Sequence, residues 1–182
     1  MIEFKRQHYL NQLIKRKHND MIKIITGLRR SGKSYLLNTL FTNHLLQEGV
    51  SQDCILQIDL EDIKNKSLRE PVAMLQYIED HSTEDSQHYV ILDEIQLLRD
   101  WDKVANALRL QSNVDLYLTG SNAYMFSSDL ANSLGGRYIE IKMQPFSFKE
   151  YFSAYSMFAQ FYSKTKKDMD DLHNPMAVYS HY

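Results

Sequence analysis

The sequence contains a single cysteine, Cys54, so no disulfide can form within the chain. This composition is typical of proteins in a reducing compartment and favours a cytoplasmic location. No segment approaches the roughly 20 consecutive apolar residues that a membrane-spanning helix needs. The residues after Met1 lead into no apolar run of the kind that marks a signal peptide. We therefore expect a cytoplasmic protein with no membrane partner.

The sequence also lacks a large excess of charge of either sign. The 21 Lys and Arg residues are balanced by 23 Asp and Glu residues, for a net charge of −2. No overall basic field therefore attracts nucleic acid. Lys5, Arg6 and residues 15–17 could form a local basic contact, although a solvated helix face is the simpler interpretation. Nucleic-acid binding is not excluded, but composition gives it no support.

The arrangement of apolar segments predicts one α/β domain with a largely parallel sheet, because strand and helix patterns alternate. The chain of 182 residues can build one substantial core but not two full domains. Strands are predicted at 21–26, 54–60, 89–92, 114–118 and 138–143. Helices are predicted at 6–18, at 33–48, after Pro71 and after Asp100, and Ser147 with Glu150 forms a capping box that starts another.

The strongest motif directly follows the first predicted strand and reads Gly27-Leu28-Arg29-Arg30-Ser31-Gly32-Lys33-Ser34. It matches the P-loop pattern of glycine, four residues, and then Gly-Lys-Ser/Thr. In such a loop, backbone N–H groups and the dipole of the following helix bind phosphate oxygens. We therefore predict a phosphate site over 27–35, ending at Tyr35. Lys33 would contact the β- and γ-phosphates, and the Ser34 hydroxyl would bind Mg²⁺.

A second motif closes the third predicted strand, where an apolar run is followed by Asp93 and Glu94. Ligands of parallel α/β sheets bind at the carboxyl edge of the strands, which is where this pair is expected. Downstream of a P-loop, the pair has the Walker B form. Asp93 is then predicted to hold magnesium through its water shell, and Glu94 to act as general base on the attacking water. A solvated turn is the alternative.

Thr119-Gly120-Ser121-Asn122 follows the fourth predicted strand. A polar side chain at that position could contact the γ-phosphate or orient water, so Ser121 or Asn122 is a candidate sensor. A turn made of small residues is an equal alternative.

Together these motifs resemble the AAA-type ATPases, and within them the archaeal-type prokaryotic ATPase group. The resemblance covers roughly residues 6–152. It also rests on residues 91–96, on Asp100-Trp101, and on Gly136-Arg137-Tyr138 leading to residues 145–148.

The resemblance implies a three-layer P-loop NTPase fold, with a five-stranded, mainly parallel sheet flanked by helices. It implies Mg²⁺-dependent ATP hydrolysis and a first helix that flanks the adenine through Arg6, Tyr9 and Leu10. It makes Arg137 a candidate arginine finger in a homo-oligomer, with a surface salt bridge as the alternative.

The resemblance further divides the chain into three parts. Residues 1–20 form an N-terminal flanking helix, residues 21–146 the ATPase core, and residues 147–182 the start of a helical lid with an atypical tail. No lid arginine is identified in that tail. We therefore expect ATP binding with slow hydrolysis and no stable ring. The alternative is a nucleotide-binding interaction module with little or no turnover. A DNA-associated ATPase is a third and weaker hypothesis.

Overall fold

The structure is a computed structural model that describes residues 6–120, 134–148, 150, 152 and 155. Of the described residues, those from 6 to 145 lie in one compact unit, and those from Phe146 onward lie in a second. The strands of the first unit are β1 (Ile22–Gly27), β2 (Ile55–Asp59), β3 (His88–Asp93), β4 (Val114–Gly120) and β5 (Tyr138–Met143). Its main helices are α1 (Gln7–Ile14), α2 (residues 33–47), α3 (Pro71–His81) and α4 (Trp101–Arg109).

The five strands form one sheet in the order β2-β3-β4-β1-β5, and every neighbouring pair is parallel. In this register, Ile24 of β1 lies opposite Leu118 of β4 and Glu140 of β5. All carboxyl ends therefore meet at one edge of the sheet. The predicted fold class is confirmed, with β3 buried along its whole length as expected for a central parallel strand.

Helices cover both faces of the sheet and make the fold three layers thick. On one face, Met74 and Ile78 of α3 pack with Val104 and Leu108 of α4 against the sheet. On the other face, α1 and α2 supply the buried side chains Leu13, Leu36, Leu37, Leu40, Phe41 and Leu45. Alternation along β1 serves both layers, because Ile24 belongs to the first cluster and Ile25 to the second.

Helix α2 is present where it was predicted, but it is not α-helical throughout. Residues Lys33–Tyr35 and Thr42–Gln47 are α-helical, while Leu36–Phe41 between them form a π-helix. The apolar spacing that predicted the helix persists through this segment, because Leu36, Leu37, Leu40 and Phe41 are all buried. The hydrophobic pattern alone therefore could not distinguish the two helix types.

The first helix is shorter than the predicted range 6–18. It ends at Ile14, because the chain then turns toward β1 with His18 and Asp20 in the left-handed region, at φ 53° and 56°. The backbone N–H of His18 donates to the Asp115 carboxylate at 3.1 Å, which fixes this turn against β4.

Asp100 precedes α4, as predicted, but its side chain does not cap the helix. Asp100 itself adopts a left-handed conformation, at φ 48°, and its carboxylate pairs with Lys103 at 3.0 Å. Sequence reasoning also missed the 3-10 segment Ile63–Arg69, which begins where Asp62 accepts the Lys64 N–H at 2.9 Å.

In the second unit, the predicted capping box is present. The Glu150 carboxylate accepts from the Ser147 N–H at 2.8 Å, and the Ser147 hydroxyl accepts the Glu150 N–H at 3.2 Å. The described residues that follow, at 148, 150, 152 and 155, are helical. Across the described parts of both units, no helix combines the length and apolar character needed to cross a membrane.

Candidate nucleotide-binding site

The loop that the sequence predicts to bind phosphate leaves β1 at Gly27, where only glycine fits. A Cβ on this residue would lie 2.2 Å from the Met143 carbonyl oxygen of the neighbouring strand β5, and its φ is +149°. Gly32 adopts φ +91° immediately before α2. Both glycines of the motif thus meet a steric requirement of the backbone. The loop turns on itself between them, with the Ser31 N–H donating to the Leu28 carbonyl at 3.2 Å.

Lys33 lies beneath this loop and is only 4% exposed. Its Nζ donates to the carbonyl oxygens of Gly27 and Leu28 at 3.2 and 3.1 Å. Burial lowers the pKa of Lys33, while the nearby carboxylates of Glu94 and Asp93 oppose that shift. The buried ammonium therefore bonds two loop carbonyls and interacts with two carboxylates, and an anionic ligand would offset the cost of its burial.

Asp93 ends β3 at the carboxyl edge and is 5% exposed. Its Oδ1 accepts from the Thr119 hydroxyl of β4, and its Oδ2 accepts from Asn38 Nδ2 of α2 at 3.4 Å. Donors from two neighbouring elements therefore hold the carboxylate.

Glu94 follows Asp93 in a left-handed conformation, with φ 55° and ψ 53°. Its N–H donates to the Thr119 hydroxyl oxygen at 3.0 Å, and its carboxylate accepts from Gln96 Nε2. A non-glycine residue in this region is strained, and such strain clusters at functional sites. A single hydroxyl on β4 thus contacts both residues of the pair, through the side chain of Asp93 and the backbone of Glu94.

The remaining residues of the predicted phosphate loop lie around this centre. Ser34 and Tyr35 begin α2 and are partly buried, and Tyr35 packs against the adjoining core. Leu28, Arg29 and Arg30 are exposed on the loop. Arg29 approaches Glu61 at 3.5 Å, with its side chain 77% exposed.

The structure does not bring Arg137 to this edge. Arg137 is exposed and directly precedes β5, so it lies at the amino edge of the sheet. Strand β5 has six residues, and at about 3.3 Å per residue the two edges are roughly 20 Å apart. Arg137 therefore cannot reach the loop of its own subunit. The candidate sensors Ser121 and Asn122 lie outside the described residues.

The N-terminal residues that are expected to flank the adenine contact the loop through hydrogen bonds. Arg6 donates to the carbonyl oxygens of Gln144 at 2.5 Å and Ser31 at 3.5 Å, and its guanidinium lies 4.9 Å from the centre of the Tyr9 ring. The Gln144 N–H donates to the Tyr9 hydroxyl at 3.0 Å. These contacts connect α1 with both the loop and the end of β5. Their role toward adenine stays a prediction.

Sequence reasoning missed three polar residues that contact the acidic pair: Thr119, Gln96 and Asn38. Thr119 could have been predicted from the sequence, because it lies near the end of the strand beside β3, at the same edge of the sheet. Asn38 was not, because its direction depends on the π-helical segment of α2, which the apolar pattern does not reveal.

Comparisons with known proteins agree with this geometry. The AAA domain family profile matches residues 19–152. An uncharacterised protein of Haemophilus influenzae is 40% identical over 156 residues, which cover 85% of this chain and 39% of the relative. An uncharacterised protein of Methanocaldococcus jannaschii is 32% identical over 132 residues, covering 71% of this chain and 28% of the relative. The chain thus spans less than two fifths of the length of these relatives.

Solved structures share the fold at low sequence identity. C. elegans PCH-2 superposes with a TM-score of 0.60 at 17% identity, over 86% of this chain and 43% of that one. DnaA from Aquifex aeolicus, bound to AMPPCP, superposes with a TM-score of 0.53 at 14% identity, over 93% of this chain and 54% of that one. Since the family profile spans most of the sequence and the fold agrees, this chain belongs to the AAA domain family, as an AAA-type P-loop ATPase domain.

Proposed function

We propose that this domain binds ATP with Mg²⁺ at residues 27–35 and hydrolyses it. The observation that carries the proposal is the placement of buried Lys33, bonded to the glycine-bounded loop after β1, at the same carboxyl edge of the sheet as Asp93 and Glu94 after β3. A buried cation beneath a helix start fits an anionic ligand, and two acids beside it fit a hydrated metal ion and an activated water. Family membership and the AMPPCP bound to DnaA support the nucleotide-binding part.

Each residue has a distinct role in this proposal. Lys33 exchanges its two loop carbonyls for β- and γ-phosphate oxygens, and backbone N–H groups at the start of α2 bind the remaining ones. Ser34 and Asp93 would hold Mg²⁺, since hydroxyl and carboxylate oxygens suit this ion, and the ion would neutralise charge on the phosphates. Glu94 accepts a proton from the attacking water. Ser121 or Asn122 remains the proposed sensor.

The domain limits also stay a proposal, with the core at 21–146 between a flanking N-terminal segment, 1–20, and the start of a lid, 147–182. A cytoplasmic location is proposed on the single cysteine, Cys54.

Asp93→Asn tests the metal part of the proposal. The amide keeps the shape of the side chain but loses its charge, so the ATP dissociation constant in Mg²⁺ should approach the value measured in EDTA. Titrations of a fluorescent ATP analogue under both conditions measure this change. Glu70→Gln, at an exposed ion pair with Arg99, is the control. If Asp93→Asn binds Mg²⁺-ATP as the wild type does, Asp93 does not hold the metal.

A second candidate function is nucleotide binding with little turnover by a single subunit. The position of Arg137 at the amino edge favours it, because stabilising the transferring phosphate requires positive charge beyond Lys33 and Mg²⁺. On this account Arg137 acts only from a neighbouring subunit.

Turnover per subunit should therefore rise several-fold between nanomolar and micromolar protein, and Arg137→Ala should remove the rise. Arg99→Ala, at an arginine that is 69% exposed and bound to Glu70, should keep it. Phosphate release measured across this range decides the matter. Turnover per subunit that is constant and unchanged by Arg137→Ala would contradict a finger in trans.

A further inference from the structure

The π-helical segment of α2 changes the hydrogen bonds of two carbonyl groups. In an α-helix, the Asn38 carbonyl would accept the N–H of Thr42, four residues later. Here the Thr42 N–H bonds to Leu37 instead, and the Thr42 hydroxyl donates to the same Leu37 oxygen at 3.0 Å. The carbonyl of Asn38 is thereby released from the helical pattern.

A glutamine of the edge strand β2 donates a hydrogen bond to the Asn38 carbonyl. Gln57 of β2 donates through Nε2 to the Asn38 oxygen at 3.2 Å and to the Thr42 hydroxyl oxygen at 2.6 Å. Gln57 is exposed and Thr42 is only 6% exposed, so the second of these bonds is part-buried. Gln57 therefore bonds the carbonyl that the π form leaves without an N–H partner and also bonds the side chain of Thr42, and both contacts support the π form of α2.

The π form also determines where Asn38 points. Removing the extra residue from the turn would rotate one end of α2 by about 100° relative to the other. Lys33 is held at one end by the loop carbonyls, and Leu45 is held at the other end by the core. The segment between them carries Asn38, whose Nδ2 reaches Asp93 Oδ2 at 3.4 Å.

The same amide carries an acceptor that the described part of the chain leaves without a donor. Oδ1 of Asn38 is buried, and no donor among the described residues reaches it. A buried acceptor without a partner is costly, and such groups often mark the place of a water or an ion. Since Oδ1 shares its amide with the Nδ2 bound to Asp93, a water of the proposed metal shell is a fitting donor.

We propose that Asn38 is a positioning residue for the Mg²⁺ site, and that Gln57 holds it in place through the π-helical turn. Nδ2 orients the Asp93 carboxylate, and Oδ1 accepts from a metal-bound water. This inference rests on the proposed binding of Mg²⁺-ATP at this edge of the sheet. It extends the site to β2, a strand that supplies no residue to the predicted P-loop or to the acidic pair.

The test compares ATP dissociation constants in Mg²⁺ and in EDTA. The constant in EDTA divided by the constant in Mg²⁺ gives the ratio by which the metal strengthens binding. Asn38→Ala should reduce the ratio about fivefold, the factor that one net hydrogen bond contributes, and leave the EDTA constant unchanged. Asn43→Ala, at an exposed position later in α2, makes the same change in helix propensity and should alter neither. A purely structural role of Asn38 would weaken both constants and overturn the proposal.

Gln57→Glu provides the second variant, since it keeps the length of the side chain and removes its donors. It should reduce the ratio as Asn38→Ala does, and the double variant should lose little more, because both changes act on one contact. Gln52→Glu, at an exposed position before β2, is the control. Fully additive losses would overturn the link through the π-turn. A wild type with no Mg²⁺ enhancement would overturn the metal role of Asp93 itself, whereas an unchanged ratio in Asn38→Ala would overturn only this inference.

Discussion

Glu94→Gln should lower ATP turnover by about 10²–10⁴, the usual contribution of a general base, while ATP binding is retained. The substitution is nearly isosteric and leaves the backbone N–H that donates to Thr119 in place. The ability to accept a proton from water is lost, together with one of the two carboxylate charges that act on Lys33. Because the neighbouring Asp93 keeps its charge, the metal-dependent part of binding should also survive.

The left-handed backbone of Glu94 allows a second substitution, Glu94→Gly, to separate the effect on stability from the effect on turnover. Glu94 lies at φ 55°, where a residue other than glycine costs of order 1–3 kcal/mol. Glu94→Gly should therefore leave the free energy of unfolding nearly unchanged or raise it, although turnover is lost. Single-turnover phosphate release and thermal unfolding measure the two effects, with Glu70→Gln as the surface control. Turnover at the wild-type rate in Glu94→Gln would exclude Glu94 as the base.

The sheet and the loop could be predicted from the sequence because their signals are local. Alternating apolar runs gave five strands, and a parallel sheet brings all carboxyl ends to one edge, so Lys33 and Asp93 had to lie close together. The motif glycines report backbone requirements that other residues cannot meet, as the 2.2 Å distance at Gly27 shows. The order of the strands, in contrast, depends on helix packing and was not predicted.

The residues that orient the acidic pair could not all be predicted, because their contacts are set by tertiary structure. Thr119 faces Asp93 only because β4 lies beside β3. Asn38 reaches Asp93 only because α2 contains a π-turn that Gln57 supports from β2. The left-handed backbone of Glu94 likewise has no signal in composition or periodicity, since the strain is held by the fold around it.

Lys33→Ala should remove nucleotide binding while the fold remains intact. Lys33 is buried beneath the loop. Water therefore cannot take the place of its positive charge beside a bound phosphate. The substitution also frees the carbonyls of Gly27 and Leu28, so the unfolding midpoint without ligand is measured separately for each variant. Lys103→Ala, at a lysine that is 75% exposed, is the matched control.

The most direct test of the account is the change in the unfolding midpoint on adding Mg²⁺-ATP to the wild type and to Lys33→Ala. At a hundredfold excess over the dissociation constant, binding should stabilise the wild type by about 2.7 kcal/mol, or roughly 5–10 °C in a domain of this size. Lys33→Ala should show no shift, and Lys103→Ala the full shift. Equal shifts in the wild type and Lys33→Ala would contradict a nucleotide site at residues 27–35.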